Sequence, residues 1–100
     1  GSMQEKPIEQ HLRDEIKKIG GAAYKLSAAV DAGMPDRLVC LPGGRVIFVE
    51  TKRPKGGRLS PLQKYRHKAL RLMGFDVRVI NTTAAVTEFI EEVKAQGGNE

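Results

Sequence analysis

Three ionisable residues stand out by type and spacing: Asp36, which follows Pro35, and the pair Glu50 and Lys52 at the end of the apolar run Val46-Ile47-Phe48-Val49. Side chains alternate across a strand, so Val46, Phe48, Glu50 and Lys52 share one face. Two apolar residues followed by an acid and a base mark the point where a core gives way to a polar site. The preceding run, Asp36-Arg37-Leu38-Val39-Cys40-Leu41, is joined to the next, Arg45 onward, by Pro42-Gly43-Gly44, and the two read as a hairpin. The start of one hairpin strand lies beside the end of the other, so Asp36 and Glu50 converge although 14 positions separate them. Two carboxylates held together repel and raise each other's proton affinity. A hard divalent cation resolves that repulsion and also draws phosphate oxygens. Taken singly, an Asp after Pro in a turn and a Glu-x-Lys at a strand end are both common on exposed surfaces.

The elements that must hold these residues can be read in order. Ile8, Leu12, Ile16 and Ile19 form one apolar stripe of a first helix, stopped by Gly20-Gly21. Ala22 to Leu26 is a weak strand, and a loop containing Gly33 and Pro35 leads into the hairpin. Val46 to Val49 is continuously apolar, which predicts a central strand covered on both faces. A basic, Gly-rich loop, Arg53-Pro54-Lys55-Gly56-Gly57-Arg58, precedes a well-marked helix start: Ser60 as N-cap, Pro61 at the first position and Gln63 three after the cap. That helix carries Leu62, Tyr65, Ala69, Leu72 and Met73 and ends at Gly74. Phe75 to Ile80 alternates as a strand, so the strand-helix-strand unit predicts parallel pairing with a right-handed crossover. A last helix starts near Thr83 with Val86, Phe89, Ile90 and Val93 on one side, free to pack on the core or on a second subunit. The order is α-β-β-β-α-β-α, an α/β fold with a mixed central sheet flanked by helices.

Composition limits what such a chain can be. One hundred residues, 40% hydrophobic and 29% charged, suit one compact domain. Gly1-Ser2-Met3 reads as a tag remnant, leaving residues 4–100 as the domain. A single Cys excludes an internal disulfide framework and points to a reducing, cytoplasmic setting. No apolar run approaches the roughly 20 residues of a membrane span. The net charge of +5 is unevenly spread. Residues 51–75 hold eight bases and no acid, whereas residues 84–100 carry four Glu against Lys94. A basic quarter of this kind suits a polyanion, because each neutralised phosphate releases counterions, and it equally serves as a solvated helix face.

The combination of Pro35-Asp36 with Glu50-Thr51-Lys52 resembles the P-D…(D/E)-x-K pattern of the restriction-endonuclease-like nucleases, whose core has the same α-β-β-β-α-β order. With Glu9, Gly33-Met34-Pro35-Asp36, Ser60-Pro61-Leu62-Gln63 and Gly74-Phe75-Asp76-Val77, the chain is similar to the virus-type replication-repair nuclease (VRR-NUC) domain from about Ile8 to Ile90. The resemblance implies a small phage or bacterial nuclease that hydrolyses phosphodiesters. It implies Mg²⁺ or Mn²⁺ held by Asp36 and Glu50, with the Thr51 carbonyl and Glu9 as further ligands, and Lys52 acting on the attacking water or the transition state. Glu9 is equally explained as an acid in the first turns of a helix. Gln63 matches a family active-site position and is also explained as the capping-box partner. Stand-alone members are similar to Holliday-junction resolvases, which implies branched DNA and a homodimer in a bacterial or phage-infected cell. A non-catalytic DNA-binding module, and a flap-directed or restriction-like nuclease, are the alternatives.

Arg53, Lys55, Arg58, Lys64, Arg66, Lys68 and Arg71 are the candidates for the DNA backbone. Five aromatic residues offer little for single-strand stacking. His11 and His67 fall on polar helix sides with no metal-ligand spacing, and Cys40 reads as a small core residue.

Overall fold

The β-branched run after the Pro-Gly turn becomes the strand around which the chain is built. The computed structural model describes residues 5–27 and 31–97. The chain forms α1 (Glu5–Lys18), β1 (Ala22–Lys25), β2 (Arg37–Cys40), β3 (Val46–Thr51), α2 (Pro61–Leu72), β4 (Asp76–Ile80) and α3 (Thr83–Gly97). This is the order the sequence predicts. The four strands make one sheet in the order β1-β2-β3-β4. β1 and β2, and β2 and β3, are antiparallel, while β4 joins β3 in parallel after the α2 crossover. The tag remnant read from residues 1–3, and Glu100 of the acidic stretch, lie outside the described residues.

The core occupies one face of the sheet. Val39, Ile47, Val49 and Ile80 meet Ile8, Leu12 and Ile16 of α1 and Val86, Phe89, Ile90 and Val93 of α3, all buried. Each such side chain contributes about 1.5–3 kcal/mol by leaving water. The apolar side of α3 is therefore satisfied within this chain, the first of the two options open to it. Arg45 fastens its end, donating from Nη1 to Gln96 Oε1 at 2.7 Å and from Nη2 to the Val93 carbonyl at 3.0 Å. α1 stops where Gly20 takes φ +88°, a value that favours glycine.

On the opposite face α2 packs against the sheet, and two expectations change there. Val46 is 38% exposed and Phe48 half-buried, so β3 is central without being sealed on both sides. The stripe Leu62, Tyr65, Leu72 and Met73 does not face the sheet; these residues are 45–78% exposed. α2 instead approaches the sheet through His67 and Leu70, both buried. The helical period shows which residues share a side, but not which side packs. The start of α2 is as the sequence predicts: the Gln63 N–H donates to Ser60 Oγ at 3.1 Å and the Ser60 N–H to Gln63 Oε1 at 2.9 Å. The loop before β2 lies against this first turn. A Cβ on Gly33 (φ +86°) would stand 2.7 Å from the Leu62 carbonyl oxygen.

Candidate active site

β3 ends with its last two residues, Glu50 and Thr51, buried. Asp36 lies in the bend before β2, and the antiparallel pairing of β2 with β3 brings it to that end. The Thr51 N–H donates to Asp36 Oδ1 at 3.0 Å, and the Thr51 hydroxyl to Oδ2 at 2.6 Å. Both Asp36 oxygens are thus fixed by one residue, which sets the direction in which the remaining lone pairs point. Lys52 follows directly, its N–H donating to the Ile80 carbonyl at 2.9 Å. Its positive charge acts on Glu50.

α1 supplies the other side of the site. One carboxylate oxygen each from Glu5, Glu9 and Asp36 lies within 4.8 Å of the others, close enough to share a cation. Glu9 is oriented by Arg37, a buried residue whose Nη2 donates to Glu9 Oε1 at 2.8 Å and whose Nη1 donates to the Ala23 carbonyl at 3.2 Å. Glu50 stands beside this trio rather than within it. Its Oε1 turns inward, 3.5 Å from His67 Nε2, and has no hydrogen-bond partner among the described residues. The oxygens of the trio are all carboxylate, with the Glu50 carboxyl beside them, so the set fits a hard divalent cation.

The electrostatics follow from this crowding. Burial, and then the Asp36 charge, raise the Glu50 carboxyl from 4.5 to about 7. Burial also raises Asp36, against the lowering effect of its Thr51 hydrogen bonds. His67 is lowered by burial and by the nearby Arg71 and Lys52 charges. Between about pH 4.5 and 7 the native protein therefore keeps a proton on Glu50 that the unfolded chain has released. The resulting stability is greatest at low pH and declines as pH rises through this window. In EDTA, raising the pH from about 5 to about 8 is expected to cost on the order of 2–3 kcal/mol through Glu50. Glu50→Gln should remove most of that loss. Melts at the two pH values check it, and an equal loss in the variant would assign the effect elsewhere.

The remaining candidates are placed as follows. Gln63 is held in the capping box by its Oε1. Arg53, Lys55, Arg58, Lys64 and Lys68 are exposed; Arg66 is half-buried, with its Nε 3.4 Å from the Ala32 carbonyl. Arg71 donates from Nη2 to the Val77 carbonyl at 2.8 Å. His11 sits half-buried with Nε2 3.3 Å from Thr87 Oγ1. His67 overturns its sequence reading: it is 1% exposed and points at the sheet. The signal was its spacing from Gln63 and Leu70, which share the inward side. Glu5 belongs to none of the motifs, and its one signal is that it lies a turn before Glu9. Arg37 was readable only as a strand residue, because the partner it meets comes from α1.

No family model matches the chain. It is 45% identical over 80 residues to a protein named "Putative nuclease p44" from Acyrthosiphon pisum secondary endosymbiont phage 1. That match covers 80% of this chain and 85% of the relative. The fold is similar to a solved structure described as "VRR_NUC domain", with a TM-score of 0.82 and 32% identity, over 88% of this chain and 95% of that one.

Proposed function

Since the chain belongs to the VRR-NUC family of nucleases, we propose that it is a divalent-metal-dependent, structure-selective DNA endonuclease that resembles the Holliday-junction resolvases. One observation carries this reading. Asp36 and Glu50 meet at the end of β3 closely enough for one charge to raise the other's pKa, and carboxylate oxygens of Glu5 and Glu9 gather with one of Asp36. Such an arrangement is costly unless something positive is shared among these carboxylates.

Asp36 and Glu50 would hold Mg²⁺ or Mn²⁺, with Glu9, Glu5 and the Thr51 carbonyl completing the shell. When bound, such an ion supplies Lewis acidity to the scissile phosphate and favours hydroxide over water. The chain's own residues do the rest. Thr51 fixes both Asp36 oxygens, and Arg37 fixes one oxygen of Glu9. Lys52, just past β3, orients the attacking water or neutralises charge on the phosphate in the transition state. Gln63 has one carboxamide oxygen committed to the Ser60 N–H. Its NH₂ group, at a helix N-terminus that favours phosphate, would hold the substrate backbone.

Arg53, Lys55, Arg58, Lys64, Arg66 and Lys68 would track the DNA phosphates. Replacing exposed Lys64 and Lys68 together by Ala should reduce the slope of log affinity against log salt by about 0.9 for each phosphate that is no longer neutralised. Fluorescence anisotropy over a salt series reads the slope, and an unchanged slope would remove these residues from the interface. A homodimer would place two sites on two strands. The exposed Leu62, Tyr65, Leu72 and Met73, spaced along one side of α2, support it, because exposed apolar side chains grouped on one side of a helix suit an interaction surface. Light scattering at micromolar concentration distinguishes dimer from monomer. Among the described residues no helix is long and apolar enough to cross a membrane. A nuclease of this kind would work in the cytoplasm of a bacterial or phage-infected cell.

The test is a panel of four-way junction, flap and linear duplex DNA with Mn²⁺. Preferential, paired cutting of the junction supports the reading. Preference for the flap or for a sequence site would make it a different nuclease, and salt-sensitive binding without cutting would make it a DNA-binding module.

A further inference from the structure

α2 could seal the polar end of the sheet with any apolar side chain, yet it presents His67. The imidazole is 1% exposed, and neither ring nitrogen has a hydrogen-bond partner among the described residues. Leaving buried polar atoms unpaired costs roughly 1–3 kcal/mol each, so for stability alone a leucine would serve better. The ring faces Glu50 Oε1, which is 3.5 Å from Nε2 and likewise without a hydrogen-bond partner among the described residues. A small rotation of the Glu50 side chain closes this to a hydrogen bond and answers two unpaired atoms at once. Two of the neighbouring carboxylates have anchors: Asp36 has Thr51 and Glu9 has Arg37. For the buried oxygen of Glu50, His67 stands in the corresponding place.

We propose that His67 is a positioning residue whose Nε2–H holds Glu50 Oε1 on the α2 side, so that the other Glu50 oxygen is turned toward Asp36 and the cation. This role rests on the metal site described above and uses only the neutral ring as a donor. Anchors of this kind set the orientation of a ligand, and their loss typically weakens metal affinity about 10–100-fold.

Calorimetric titration of the intact protein with Mn²⁺, without DNA, tests it. His67→Leu should keep or raise the melting temperature and weaken Mn²⁺ binding by about 10–100-fold. His67→Gln, whose amide nitrogen reaches the place of Nε2, should recover most of the affinity, whereas the shorter His67→Asn should not. A purely structural His67 predicts no such order among the three. In cleavage assays the Mn²⁺ concentration for half-maximal rate should rise in parallel for Leu and Asn. If His67→Leu does not fold, the comparison of Gln with Asn decides the matter. Wild-type affinity in His67→Leu, or equal affinities for Gln and Asn, would overturn the proposal while leaving the metal site standing. Failure of the wild-type protein to bind Mn²⁺ at all would overturn the metal site and the proposal with it.

Discussion

Asp36→Asn is expected to lower the rate of DNA cleavage by about 10³-fold or more without unfolding the protein, because on the proposed mechanism it removes one of the carboxylates that would hold the metal. The separation of function from stability follows from the hydrogen bonds. Asn can still accept from the Thr51 N–H through Oδ1, and its NH₂ can donate to the Thr51 hydroxyl, which turns to accept. The substitution also removes a partly buried charge whose pKa is raised by burial, so the melting temperature at neutral pH should hold or rise in the absence of metal. Single-turnover rates and melts on the same preparation check both halves. A variant that cuts at the wild-type rate would remove Asp36 from the chemistry. One that melts far below the wild type would mean that its carboxylate serves the fold.

The largest effect on stability is expected from Leu12→Ala. Leu12 is fully buried between α1 and the sheet, in a cluster with Ile8, Ile16 and the apolar side of α3. Removing its isobutyl group leaves a cavity in a close-packed interior and should cost about 2–5 kcal/mol. A domain of this size has roughly 5–15 kcal/mol to lose, so the melting temperature should fall by roughly 10–30 °C. Lys17→Ala, on the exposed side of the same helix, should change it little. The helix also carries Glu5 and Glu9, so loosening α1 would blur one side of the site before the sheet melts. A cost below about 1 kcal/mol would mean that α1 is not integral to the core.

Much of this architecture is legible in the chain. Ile8, Leu12 and Ile16 mark the buried side of α1, Ser60 and Gln63 mark the start of α2, and Pro42-Gly43-Gly44 marks the hairpin that brings Asp36 beside the end of β3. These features are local, and local backbone chemistry decides them. What the sequence does not reveal depends on which side of an element meets another. Leu62, Tyr65, Leu72 and Met73 are spaced as a helix stripe should be, yet the way α2 docks turns them to solvent and His67 inward. His67 looks like a surface residue because its neighbours in sequence are cations, while its neighbour in space is Glu50. Arg37 stands in an alternating strand whose inner face meets α1, so its partner Glu9, 28 positions away, becomes apparent only once the helix is docked. That Asp36 lies beside the end of β3 was readable from hairpin geometry; the Thr51 hydroxyl on Asp36 and the Arg37 guanidinium on Glu9 were not.

If Asp36 and Glu50 share a divalent cation that hydrolyses DNA, removing either the cation or one carboxylate must abolish cutting. The most direct measurement is the initial rate of four-way junction cleavage by the wild-type protein and by Glu50→Gln, each in Mn²⁺ and in EDTA. Cutting is expected from the wild type in Mn²⁺ alone, with the other three conditions at background. Cutting in EDTA, or a Glu50→Gln rate equal to the wild type, would contradict a shared catalytic cation.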